Sequence, residues 1–281
     1  MIKLYIGSLE LLFSNFPNTL NANDIKFASP VLPTKNSITI NISEVQTLDI
    51  PMLQSSFLTS QTVWFDDSKE IRLYKAYQKD PYIMSILENN NVEIMIMEKE
   101  WKIAQKTFRP WYNIHLEQLL LKNNALILHS ASIIINGSAI IFTAPSGTGK
   151  TTQSNLWHKY VSETQDLNGD RTLLQKTENG WLACGFPISG SSLACEQCAV
   201  PIKVIAIIRQ GKTDCIKELT VFEKFSLLYS ELTVFSLDTS SVTKTIDLLN
   251  DFISTQKVIM LECTMEKSAV DVLKRYIEYE E

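Results

Sequence analysis

The octapeptide Ala144-Pro-Ser-Gly-Thr-Gly-Lys-Thr151 carries the residue types that hold a polyphosphate. It has the Walker A spacing, with Ala in place of the first Gly. Gly147 and Gly149 lack a Cβ, so the backbone can wrap closely and point its N–H groups at phosphate oxygens. Lys150 offers a mobile cation to β and γ phosphates, and the Thr151 hydroxyl is an oxygen ligand for Mg²⁺. A helix starting there adds the positive end of its dipole. Ser146, Gly147, Thr148, Gly149, Lys150, Thr151 and Thr152 are therefore the candidate nucleotide-binding residues.

Phosphate chemistry also calls for a carboxylate near the metal, commonly an Asp that ends an apolar strand. Val204-Ile-Ala-Ile-Ile208 ends in Arg209, and Val258-Ile-Met-Leu261 ends in Glu262, a late candidate. The nearest Asp residues after the loop lie in Asp166-Leu-Asn-Gly-Asp-Arg171. Asp170 stands twenty residues after Lys150, far enough past a helix for the chain to return to the phosphates. Asp166 is the reserve. His129 stands twenty-one residues before Lys150, in an apolar stretch that leads towards the loop.

The elements that must position these residues are readable from periodicity. Leu126–Leu128 and Ser132–Ile135 are expected as strands, and Asn136-Gly137 as a two-residue hairpin turn whose positions both accept positive φ. Ser138–Phe142 is the returning strand and runs into the phosphate loop, followed by a helix over about Lys150 to Val161. Upstream, Tyr112, Leu116, Leu119 and Leu120 recur on one helical face, with Pro110 near the start and Lys122-Asn-Asn124 at the end. Downstream, strands are expected at Thr172–Gln175, Trp181–Cys184, Lys203–Ile208 and Lys257–Leu261. Helices are expected near 220–231, 241–253 and from about Lys267. The first hundred residues read as β-rich, with alternating strands at 2–6, 37–42, 62–65, 70–74 and 92–97. The order of elements predicts an α/β or α+β fold, with a β-rich region over 1–107 available for substrate or partner binding and a nucleotide-binding domain over 108–281.

Bulk properties narrow the function classes. The 281 residues carry a net charge of -5 and no long Lys/Arg run, which argues against nucleic acid as partner. The most apolar stretch, Ala125 to Ala144, is broken by His129 and Asn136-Gly137, so a hairpin accounts for it better than a membrane span. No secretory leader is recognisable, and a soluble, cytoplasmic protein is the expectation. Five cysteines at irregular spacing read as reduced thiols. Cys195-Glu-Gln-Cys198 lacks the second ligand pair that a zinc site would need.

Taken together, these residues resemble the HPr kinase/phosphorylase family and its relatives with a PEP-carboxykinase-like fold. The likeness covers about residues 108 to 210. It rests on Arg109-Pro-Trp-Tyr112, Leu126-Ile-Leu-His-Ser-Ala131, the phosphate loop, Asp170, and Gly185-Phe-Pro-Ile-Ser-Gly-Ser-Ser192 with Val200-Pro-Ile-Lys203. The chain departs from the family where a paired Asp is usual and Asn168-Gly169-Asp170 stands instead. The signature of bacterial HPr kinases beyond it is missing, so HPr itself is a poor substrate candidate.

The resemblance implies an ATP- and Mg²⁺-dependent phosphotransferase acting on a hydroxyl, such as a serine of a peptide or protein or a small-molecule alcohol. It implies Asp170 as general base and as a ligand of Mg²⁺, and His129 as its partner in proton transfer or orientation. Lys150 and the loop amides would hold the phosphates, and Arg171 is a further candidate for charge neutralisation. Ser189 to Ser192 around Gly190 is a candidate acceptor- or phosphate-binding loop, with a flexible linker as the alternative. Oligomerisation is a family trait that nothing in this sequence fixes. Two alternatives stay open: a nucleotide-binding regulatory or peptide-maturation accessory protein that transfers nothing, and an unrelated P-loop ATPase that uses Glu262.

Overall fold

A computed structural model describes residues 1–50, 56–58, 61–66, 69–75, 81–192, 194–234 and 239–278. The chain forms two compact units, Met1–Leu119 and Leu120–Glu281. Both are mixed α/β, so the chain as a whole has an α+β fold.

The first unit holds β1 (Ile2–Ile6), β2 (Leu9–Ser14), α1 (Ala22–Lys26), β3 (Asn36–Val45), β4 (Ser56–Leu58), β5 (Gln61–Asp66), β6 (Lys69–Lys75), β7 (Pro81–Glu88), β8 (Asn91–Met97) and α2 (Glu98–Thr107). Its eight strands form one sheet in the order β1-β2-β3-β8-β7-β6-β5-β4. Alternation of apolar and polar residues decides which face is buried. In β2 Leu9, Leu11 and Phe13 are buried, and in β8 Val92, Ile94 and Ile96. The helix expected from Pro110 is shorter than its apolar spacing suggests, because α3 covers only Leu116–Lys122. Asn113 and His115 adopt positive φ of 63° and 54°, which a helix does not accommodate. The segment before α3 is instead anchored by Trp111 Nε1, which donates to Asp24 Oδ1 at 2.7 Å, and by Asn18 Nδ2, which donates to the Phe108 carbonyl at 2.9 Å.

The second unit contains β9 (Ala125–Ile135), β10 (Ser138–Thr143), α4 (Lys150–Tyr160), β11 (Gln165–Asn168), β12 (Arg171–Thr177), β13 (Gly180–Cys184), β14 (Ala199–Gln210), β15 (Cys215–Glu218), α5 (Val221–Tyr229), α6 (Thr239–Thr255), β16 (Val258–Cys263) and α7 (Lys267–Glu278). The two strands expected before the hairpin are one continuous strand, β9, which carries His129 near its middle. The hairpin turn is as expected, with φ of 49° at Asn136 and 73° at Gly137. β11 and β15 had no clear signal, being only four residues each.

The strand order is β10-β9-β12-β13-β14-β16-β15, and β10 also pairs with β14. The pairings β10-β9-β12-β13-β14 thus close on themselves. Two long strands make this possible by taking different neighbours along their length. β9 pairs with β12 over Ala125–His129, and beyond it with β10 over Ser130–Ile135 and with β11 over Ser132–Ile134. β14 pairs with β13 at its start, then with β10 and β16, both in parallel. Both faces of β10 and β14 are buried, which explains their unbroken Ile, Val and Ala runs. Ile140, Phe142, Val204 and Ala206 pack against Leu156 and Trp157 of α4 and Val270 and Leu273 of α7. Ala139, Ile141, Ile205 and Ile207 pack on the other side, with Leu249 and Phe252 of α6.

Candidate functional site

Strand direction places the phosphate loop. β10, β14 and β16 run parallel, so their C-terminal ends share one rim, where ligands of open α/β sheets bind. The loop leaves β10 at that rim and α4 begins at Lys150. Gly147 and Gly149 take φ of 79° and 120°, values that a side chain would strain, so the two glycines are required by the backbone they adopt. Pro145, Ser146, Gly147 and Thr151 are exposed, whereas Ala144 is buried. Ala144 therefore serves as packing where the motif has Gly. Lys150 is mostly buried, and its Nζ donates to the carbonyls of Ala144 at 2.7 Å and Pro145 at 3.3 Å. Burial lowers the pKa of its ammonium, and the carboxylates of Glu231 and Asp170 resist that shift. Gln210, at the end of β14, donates from Nε2 to the Thr148 carbonyl at 3.2 Å.

His129 is the residue at which β9 changes partner. It pairs with Arg171 of β12, and the next residue, Ser130, pairs with Thr143 at the end of β10. The same change of partner brings Asp170 alongside, because the Ser130 N–H donates to the Asp170 carbonyl at 2.9 Å. His129 Nε2 lies 3.9 Å from Asp170 Oδ1, an ion-pair separation longer than a hydrogen bond. His129 Nδ1 is 2.9 Å from Glu231 Oε2, and its backbone N–H donates to the Glu231 carbonyl at 2.9 Å. Glu231 thus grips both ends of the residue. It follows α5, 102 residues further along the chain, and no motif in the sequence marks it.

Asp170 sits in a tight crossing from β11 to β12. The Asn168 side chain is buried and its Oδ1 accepts from the backbone N–H of Asp170 at 2.9 Å and of Arg171 at 2.8 Å. Asn168 therefore fixes the crossing and is closed to ligands. Gly169 is needed because a Cβ there would come within 1.9 Å of Ser192 Oγ. Gly190 leaves room for the Asp170 carboxyl, since a Cβ would lie 3.0 Å from its Cγ. Gly190 and Ser192 thus lie against the Gly169-Asp170 turn. Arg171 Nε lies 3.3 Å from Asp170 Oδ2, and its Nη1 donates to Thr233 Oγ1 at 3.0 Å. The structure thus brings Asp170, His129 and Arg171 together and adds Glu231, while Thr143 Oγ1, at the strand end that leads into the loop, donates to the His129 carbonyl at 2.9 Å.

The other carboxylate candidates are engaged by partners of their own. Asp166 accepts from His158 Nε2 at 2.9 Å on the exposed end of α4. Glu262 bonds Lys217 of the neighbouring strand β15. Its carboxyl is held below the usual range chiefly by that hydrogen bond. All five cysteines are free, and burial pushes the Cys184 thiol well up, so it is inert. Among the described residues no cluster of three or more His, Cys, Asp or Glu side chains is arranged to hold a metal ion, and no helix is long and apolar enough to cross a membrane. A Mg²⁺ ion bound with phosphates needs few protein ligands. The exposed Thr151 hydroxyl and the part-exposed Asp170 carboxylate are oxygen donors of the kind it takes.

Compared with models of known protein families and with curated proteins, the chain matches none.

Proposed function

We propose that the second unit is a nucleotide-binding core of the HPr kinase and PEP-carboxykinase type, and that it transfers the γ-phosphoryl group of ATP to a hydroxyl, such as a serine of a peptide or protein. The observation that carries this reading is that the strand end feeding the phosphate loop meets the segment bearing Asp170. Thr143 Oγ1 donates to the His129 carbonyl at 2.9 Å, and His129 Nε2 lies 3.9 Å from Asp170 Oδ1.

The steps follow from what each group can do. The loop amides and Lys150 hold the phosphates, with Ser146, Gly147, Thr148, Gly149 and Thr152 lining the chain's path around them. Asp170 accepts the proton of the acceptor hydroxyl as its oxygen bonds to the γ phosphorus. The bond from that phosphorus to the bridging oxygen breaks, and ADP leaves with the electron pair. Mg²⁺, held by Thr151 and Asp170 with phosphate oxygens, would neutralise charge on the phosphates. His129, gripped by Glu231, faces Asp170 and steadies its carboxylate. Catalysis of this kind is positioning and charge neutralisation. The identity of the acceptor rests on the resemblance, and the β-rich first unit is a candidate surface for it.

Titration calorimetry with MgATP on the wild type, Lys150→Ala and Asp170→Asn tests the reading, followed by transfer from γ-labelled ATP to serine-containing peptides. The expected pattern is binding by the wild type and Asp170→Asn, no binding by Lys150→Ala, and transfer by the wild type alone. Identical behaviour of wild type and Lys150→Ala would end the nucleotide reading. Tight binding with no transfer to any acceptor would favour the accessory-protein alternative. Turnover that survives Asp170→Asn but not Glu262→Gln would point to the unrelated ATPase.

A further inference from the structure

The segment after α5 fills a gap that the phosphate loop leaves in the sheet. β10 ends at Thr143, opposite Ser130, and the chain turns out into the loop. Beyond that point Glu231, Leu232 and Thr233 take up the same edge of β9. The His129 N–H donates to the Glu231 carbonyl at 2.9 Å, the Thr233 N–H donates to the Ile127 carbonyl at 2.9 Å, and Leu232 stands opposite Leu128. The His129 carbonyl, on the same side of the strand, accepts from Thr143 Oγ1 at 2.9 Å. The stretch 231–233 is thus next in line after β10, and the phosphate loop leaves the sheet between them.

Alternation decides what this stretch presents. Leu128 and Leu232 turn into the core. Glu231 and Thr233 therefore lie on the opposite face, with His129 and Arg171, which pair across β9 and β12. Asp170 is on that face too, 3.9 Å from His129 Nε2 and 3.3 Å from Arg171 Nε. Thr233 is exposed, and its Oγ1 accepts from Arg171 Nη1 at 3.0 Å. One guanidinium therefore meets both the Thr233 hydroxyl and the Asp170 carboxylate. Arginine has no acceptor to offer, so Thr233 uses a lone pair in that contact and keeps its proton. Among the described residues no acceptor takes that proton.

We propose that Thr233 is a phosphorylation site that the chain modifies in cis. The proposal rests on the kinase reading and names an acceptor for it within this chain. Asp170 takes the proton of Thr233 as Oγ1 bonds to the γ phosphorus of ATP, and later releases it to water. The bond from that phosphorus to the bridging oxygen breaks, and ADP leaves with the electron pair. The phosphothreonine then sets its negative charge beside Arg171, a cation suited to hold it.

Mass spectrometry of the intact chain after incubation with MgATP reads the outcome, with MgATP affinity measured on the same variants by calorimetry. The wild type should gain one phosphate on Thr233, at a rate independent of protein concentration. Thr233→Val keeps the branched shape without the hydroxyl; it should gain none while binding MgATP as tightly as the wild type. Thr233→Ser should be modified at the same position. Asp170→Asn should slow the modification by about 10²-fold or more. Lys150→Ala should stay unmodified even when mixed with wild type, and its modification there would overturn the cis site. A wild type that binds MgATP yet keeps Thr233 bare also overturns the proposal. Transfer by that same protein to an added serine peptide would show that the kinase reading stands. If the wild type binds no MgATP, both readings fall together.

Discussion

Each unit contains a histidine gripped by a glutamate through Nδ1 at 2.9 Å, His115 with Glu70 and His129 with Glu231. Their surroundings differ. The His115 side chain is fully buried, its Nε2 lies 2.9 Å from Ser85 Oγ, and Glu70 also meets Arg72, which continues to Glu117. The His129 side chain is 29% exposed, and its Nε2 faces a second carboxylate, Asp170, without closing a hydrogen bond. Burying charges is costly unless they are paired, so the first cluster is a folding device that works only when closed. The second keeps bonding capacity facing an opening, beside a lysine and a phosphate loop. The same residue pair is thus closed in one unit and leaves bonding capacity open in the other, according to exposure and the bonds around it.

The largest effect expected on either side of that contrast falls at the open cluster. Asp170→Asn should lower phosphoryl transfer by about 10²–10⁴-fold, the usual contribution of a positioned base, with no loss of thermal stability. A drop in melting temperature that accounts for the lost activity would make the open cluster structural too. At the closed cluster, Arg72→Leu should cost about 3–5 kcal/mol in denaturant unfolding, because it strands Glu70 without its cation. A cost under about 1 kcal/mol would mean that water reaches the cluster.

A smaller effect is expected from Glu231→Gln, which keeps the backbone grip on His129 but removes the charge. Transfer should fall by roughly tenfold, with an altered pH profile and unchanged MgATP affinity. Loss of MgATP binding with the rate per bound complex intact would place Glu231 in substrate binding instead.

The smallest effect is a pH dependence of stability. Burial lowers the His115 pKa below its ordinary 6.5, and the Glu70 hydrogen bond only partly opposes this. Below that pH the unfolded chain binds more protons than the folded one, so stability falls as pH falls. Burial would raise the Glu70 carboxyl, but His115 and Arg72 together hold it below 4.5, which adds loss in the same direction at lower pH. Thermal melts from neutral pH to about pH 5 should show a decline that is shallower in His115→Gln. An equal decline in that variant would assign the pH dependence to other groups.

Local signals were readable where a few neighbouring residues decide the outcome. The phosphate loop, the Asn136-Gly137 hairpin and the α4 start are set by backbone freedom at glycine and by the shift from a two-residue to a helical period. Upstream, the apolar spacing suggests a longer helix than forms, because it says nothing of the positive φ at Asn113 and His115. A polar His129 looks in sequence like a break in β9, whereas the strand changes neighbours there without breaking.

By itself the sequence determined the glycine-rich loop with its flanking strand and helix, and the family resemblance singled out Asp170 and His129 as candidates. Only the tertiary structure decided that Glu231 grips His129, that Asn168 is a buried strut for the Asp170 backbone, and that Thr233 meets Arg171. The reason is physical. Backbone geometry and periodicity act over a few residues and leave marks in sequence, while a hydrogen bond across 102 residues depends on how strands share neighbours.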